Sequence, residues 1–229
     1  TLVTHYPEKP NFQYNLATCY EVVGEYDKAI NLLAQLVLTN PKATNMMQKL
    51  AEIYIKTNRL INAKEIYEKI VLQGNVSHEI YYTLAHLCAK TGDMDKAEKI
   101  LKKVLDLNPK FAPAHKDLGI IYMRKRLFDY AEDEFQQALK INKNDFNILY
   151  EYANYLHSTT NFKKADKYYQ KALTLEPNDA DALGFSALNK IHINDFDKAL
   201  EQIQTAIKNS PSNAFMLFIE GKIKYFMKD

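Results

Sequence analysis

A period of 34 residues constrains this chain more than any other feature. Alanine recurs at Ala29, Ala63, Ala97, Ala131, Ala165 and Ala199, always 34 residues on. Twelve residues before each lies another small residue: Ala17, Ala51, Ala85, Gly119, Ala153 and Ala187, with Gly221 continuing that series. Four residues after each alanine comes a large apolar one: Leu33, Tyr67, Leu101, Phe135, Tyr169 and Ile203. A repeat of this length is one supersecondary unit, which buries its apolar face by stacking on its neighbours.

Within each unit the apolar spacing is three and four, the signature of amphipathic helix. Two helical stretches flank a short break in which Gly24, Asn58, Gly92 and Asn194 occupy one slot. Glycine and asparagine tolerate the left-handed backbone that ends a helix. Tyr26, Leu60, Met94, Phe128, Phe162 and Phe196 then open the second stretch. The small residues let the paired helices approach closely, and a larger side chain there should cost about 1–3 kcal/mol by overpacking. Pro7, Pro41, Pro109, Pro177 and Pro211 close most units, with Asn75 and Lys143 in the equivalent place of two others. Proline stops a helix at the residue before it.

This pattern resembles the tetratricopeptide repeat (TPR) family, and the resemblance covers nearly the whole chain. Leu16, Leu50, Leu84 and Leu118, with Tyr20, Tyr54 and Tyr122, add to it. It implies an all-α fold, a right-handed superhelical α-solenoid of tandem antiparallel helix-turn-helix repeats. By this register six complete repeats span 10–43, 44–77, 78–111, 112–145, 146–179 and 180–213. Residues 1–9 read as the end of an earlier repeat and 214–229 as the first helix of a seventh, a segment of a longer array. The sixth repeat departs most, with Ser186 and Lys190 where leucine and tyrosine usually pack, so its first helix is expected to sit differently. Phe215, Phe218, Tyr225 and Phe226 should be covered by a further helix or a partner.

Composition excludes several classes. The net charge is only +2, from 30 basic and 28 acidic residues, unlike the strong basic excess of a nucleic-acid or membrane-surface binder. No apolar run is long enough to span a bilayer. Cys19 and Cys88 lie two repeats apart and read as small core residues of a reducing, cytoplasmic protein. There is no glycine-rich phosphate loop and no His-Glu-x-x-His motif. The six histidines are scattered, although His157 and His192 come from first helices of neighbouring repeats and could approach each other. No acid–base pair stands out. The sequence therefore predicts no catalytic residue, no metal and no cofactor. Asn75-Val76-Ser77 fits a glycosylation acceptor in a turn, and Arg124-Lys125-Arg126 reads as a solvated turn.

The resemblance also implies a binding face. First helices line the concave surface of such arrays, at the second, fifth, ninth, twelfth and thirteenth positions. In this sequence those positions supply Asn11, Tyr14, Thr18, Gln48, Glu52, Tyr82, His86, Lys116, Asn147, Tyr150, Asn154 and His157. Tyrosine and asparagine offer an extended peptide both apolar contact and hydrogen bonds. Leu188, Ile191, Phe215 and Phe218 form a further, apolar stretch for docking. The lysine–asparagine pair of the chaperone-binding subtype is missing, since Tyr14 and Thr18 stand there. The sixth-position asparagine ladder of arrays attached to sugar transferases is met only by Asn15. The expected function is a non-enzymatic scaffold for a protein or peptide ligand. The alternatives are a self-assembling subunit of a larger complex or homo-oligomer, and the targeting arm of a larger enzyme.

Overall fold

The computed structural model describes residues 9–74 and 76–227; the Asn75 acceptor and Pro7 lie outside them. Among the described residues there are thirteen helices and no strand. Helices α1 (Pro10–Val22), α2 (Tyr26–Thr39), α3 (Thr44–Lys56), α4 (Leu60–Leu72), α5 (His78–Lys90) and α6 (Met94–Leu107) belong to a first compact unit, Thr1–Pro109. Helices α7 (Ala112–Arg124), α8 (Phe128–Ile141), α9 (Phe146–Ser158), α10 (Phe162–Leu175), α11 (Ala180–His192), α12 (Phe196–Asn209) and α13 (Ala214–Phe226) belong to a second, Lys110–Asp229. In each unit, odd and even helices pair as hairpins, and each even helix packs on the odd helix that follows it within the unit.

The hairpin turns explain themselves residue by residue. Gly24 and Gly92 adopt φ of +81° and +90°, and Asn58 and Asn194 adopt +59° and +60°. Arg126 and Thr160 occupy the same slot, at +59° and +61°. Neither residue type favours this region, and for β-branched Thr160 it is an outlier. The backbone N–H after the slot closes the turn each time, as in Asp93 N–H donating to Cys88 O at 2.8 Å and Asn161 N–H to Leu156 O at 2.8 Å.

Small residues sit where the helices come closest. Ala29, Ala63, Ala97, Ala131, Ala165 and Ala199 are completely buried. At Gly119 an added Cβ would lie 3.0 Å from the Phe135 ring, itself fully buried, so the fourth repeat needs glycine where others take alanine. Cys88 is buried, and desolvation pushes its thiol above the ordinary range. Cys19 corrects the expectation of a core role, because it is exposed. Its tenth position in the repeat is buried in later repeats as Ile53, Leu87, Ile121 and Tyr155.

Ser186, Asn189 and Lys190 give α11 a polar core. Lys190 is 3% exposed and pairs with Asp166 at 2.7 Å and Asp195 at 3.6 Å. Ser186 Oγ accepts from Gln170 Nε2 at 3.4 Å. Asn189 Nδ2 donates to Phe162 O at 3.0 Å. Buried polar groups are tolerated when partnered in this way. The missing leucine and tyrosine of the sixth repeat are thus replaced by ion pairs and hydrogen bonds.

Candidate functional site

In the first unit the odd helices bring several of the predicted residues onto one face. Tyr82 and His86, one turn apart on α5, meet edge to face with ring centroids 4.8 Å apart. Together with Ile55, Leu60, Thr83, Leu87 and Lys90 they line an open cleft of about 300 Å³ between the second and third hairpins. Its wall is mostly aliphatic and aromatic, with polar groups at its rim, the make-up of a recognition pocket. The hydroxyl of buried Tyr67 is raised above its ordinary range first by burial and then by Glu52.

Other predicted residues of this unit are placed differently. Asn11 and Glu52 are exposed, and Tyr14 and Gln48 are half-buried. Thr18 Oγ1 donates to Tyr14 O at 3.1 Å, so its hydroxyl is engaged within α1. Glu52 lies 3.9 Å from Lys49, which bonds Glu21 at 2.6 Å; Lys56 approaches Glu21 at 3.5 Å. The Lys49 ammonium holds the Glu21 carboxyl below its ordinary range. This chain of alternating charges bridges α1 and α3.

In the second unit the predicted residues are more deeply set. Tyr150 is half-buried among Phe146, Tyr169 and Phe185, with ring centroids 5.8, 6.3 and 6.2 Å away. Burial raises its hydroxyl well above the ordinary range. Tyr169 Oη donates to Asn154 Oδ1 at 2.7 Å, and Asn154 Nδ2 donates to Glu151 Oε2 at 3.3 Å. Glu151 is pushed upward chiefly by burial, against which Asn154 and Lys116 act. Lys116 pairs with Asp117 at 2.7 Å, and Asn147 is exposed. His157 Nδ1 bonds Asn189 Oδ1 at 3.0 Å, and its ring lies 5.4 Å from that of His192. The two histidines do approach, and His192 is held below its ordinary range by burial, His157 and Lys222. Among the described residues no group of three His, Cys, Asp or Glu is placed to hold a metal ion.

The apolar stretch divides. Ile191 corrects the expectation of a docking residue: it is 6% exposed and belongs to the core with Ile219 and Ile223. Leu188 is half-buried against the same cluster. Phe215 and Phe218 remain open on α13, with Phe218 65% exposed. Tyr225 and Phe226 are open as well, at the twelfth and thirteenth positions of their repeat, so all four rings stand at groove positions of the register. Sequence reasoning missed Ile55 and Leu87 as pocket walls. Ile55 stands at a twelfth position, so the register itself pointed to it.

In each unit these helices form antiparallel hairpins with no strand, and the odd helices carry varied side chains. Family models described as tetratricopeptide repeat match residues 23–87, 78–111 and 146–179. The chain belongs to the tetratricopeptide repeat family. No curated protein matches it in sequence. Among solved structures it is similar to a tetratricopeptide repeat protein from Parabacteroides merdae, at 18% identity and TM-score 0.81 over 96% of this chain and 87% of that one. It is also similar to PilW, described as a widely conserved type IV pilus biogenesis factor, at 20% identity and TM-score 0.76 over 92% and 97%. The match to the Cut9–Hcn1 hetero-tetramer of the APC/C has 18% identity and TM-score 0.77; it covers 97% of this chain but only 44% of that one. At these identities the likeness is one of fold. No helix among the described residues is long and apolar enough to cross a membrane.

Proposed function

We propose that this chain is a non-enzymatic protein-binding scaffold that holds a peptide or protein segment against the odd-helix face of its hairpins. The observation that carries this reading is the cleft walled by Ile55, Leu60, Tyr82 and Leu87, which offers apolar surface with His86 and Lys90 at hand. An open cleft of this kind accepts the side chain of a bound segment and leaves hydrogen-bonding groups for its backbone. Affinity capture from the source cell tests it. The wild-type chain is compared with a Tyr82→Ala, His86→Ala variant and with a Lys103→Glu control on α6. Partners lost only from the first variant, at unchanged helicity, support the face. Partners lost only from the control would refute it.

A second reading is favoured by one observation, the exposed rings of Phe215, Phe218, Tyr225 and Phe226 on α13. Under it the chain assembles with copies of itself or with other subunits through that helix. Sedimentation velocity over a hundredfold concentration range should show self-association abolished by Phe218→Glu. A monomer at every concentration in the wild type removes self-assembly.

A further inference from the structure

We infer that the α3–α5 cleft selects a segment in which a large apolar side chain stands directly beside a carboxylate. This rests on the scaffold reading above and adds the chemistry of the partner. The volume of about 300 Å³ is large enough for a leucine- or phenylalanine-sized side chain. Ile55, Leu60 and Leu87 supply apolar contact, and the Tyr82 ring closes one side. The two rims of the cleft differ in charge. At one, exposed Glu52 stands one turn before the wall residue Ile55 on α3. At the other stands Lys90, which also borders the next cleft along the hairpin turns, beside Arg59 and Thr91. Lys90 is exposed, and among the described residues no carboxylate is paired with it. Arg59, by contrast, is taken up by Asp27 at 2.6 Å, and Lys56 approaches Glu21 at 3.5 Å.

Charge complementarity therefore sets the sign of the residue beside the anchor. An apolar anchor seated against Leu87 places the next residue of an extended segment near one rim. A carboxylate is attracted at the Lys90 rim and repelled at the Glu52 rim. A basic residue beside the anchor meets the reverse. Long-range attraction also speeds encounter with acidic segments.

The test is a titration of the isotope-labelled chain by nuclear magnetic resonance with synthetic Gly/Ser dodecapeptides. These carry a central Leu-Glu, Leu-Lys, Leu-Gln or Ala-Glu pair. Leu-Glu should shift the Ile55, Leu60 and Leu87 methyls saturably and bind about two- to fivefold more tightly than Leu-Lys, the range of one exposed ion pair. Lys90→Glu should invert that order, and Ala-Glu should not saturate. Leu-Glu, Leu-Gln and Leu-Lys binding alike at the cleft would overturn the inference and leave the scaffold reading standing. If no peptide shifts any odd-helix residue at millimolar concentration, both fall. Shifts confined to the even helices would also overturn both.

Discussion

Replacing Lys190 by methionine tests whether the polar core of α11 holds the sixth hairpin in place. Methionine keeps the length of the side chain and removes the ammonium. The lysine is 3% exposed, whereas its partners Asp166 and Asp195 are 24% and 30% exposed in their side chains. Breaking a fully buried pair costs about 3–5 kcal/mol, and an exposed one about 0.2–1 kcal/mol. Here the carboxylates can regain water when the ammonium is gone, so Lys190→Met should cost about 1–2 kcal/mol. Asp166→Asn leaves the buried ammonium with only Asp195, at 3.6 Å, and should cost more, about 2–4 kcal/mol. The double variant should recover part of this, giving a coupling of about 1.5–3 kcal/mol. Lys28 and Glu25, 59% and 50% exposed, form the control pair, with an expected coupling below about 0.5 kcal/mol.

The assay is urea unfolding by circular dichroism. It is combined with hydrogen exchange of the α11 peptide, because a repeat array need not unfold in one step. Raising the salt to about 1 M should erase the control coupling and leave most of the Lys190 coupling, since buried pairs are poorly screened. A Lys190–Asp166 coupling below about 0.5 kcal/mol would place this pair with surface ion pairs. The pair would then not substitute for the apolar residues usual in that register.

Three further outcomes follow. Glu151 has its folded pKa raised by burial, so ionising it opposes folding. That penalty is absent below the unfolded pKa, grows as pH rises from there to the folded one, and is constant above it. Glu151→Gln should therefore raise the melting temperature at pH 7 and leave it unchanged near about pH 3.5, where the carboxyl is protonated in both states; a gain that is equal at both pH values would refute the assignment. Thr160 sits at φ +61°, so Thr160→Asn should stabilise the chain by about 0.5–1.5 kcal/mol, read from the urea midpoint. Gly92→Ala should destabilise it by about 1 kcal/mol through the backbone alone, as nothing lies within 4 Å of the added Cβ.

The hairpin architecture was legible because it is stated many times over: an alanine every 34 residues fixes helix spacing without reference to any other part of the chain. The turns were legible at Gly24, Asn58, Gly92 and Asn194, whose residue types announce a left-handed backbone. Arg126 and Thr160 gave no such signal, and only the register identifies them. Exposure was harder to read. Ile191 stands at a groove position of the repeat but is drawn into the core around Met216 and Ile223, a packing that position alone does not reveal. Cys19 and Cys88 looked alike in sequence, yet one is exposed and the other buried.

The same periodicity separates frame from function inside a single chain. Positions that pack hairpin on hairpin admit almost one solution, so alanine returns six times at the twentieth position of the repeat. The thirteenth position has no such constraint, and there the chain runs through Val22, Lys56, Lys90, Arg124, Ser158, His192 and Phe226. A residue that varies freely against an invariant frame is set by something other than the frame. On that argument the register marks the positions free to serve the proposed recognition. Lys90 is then the informative one, for it lines an apolar cleft wide enough for a side chain while pairing with no described carboxylate.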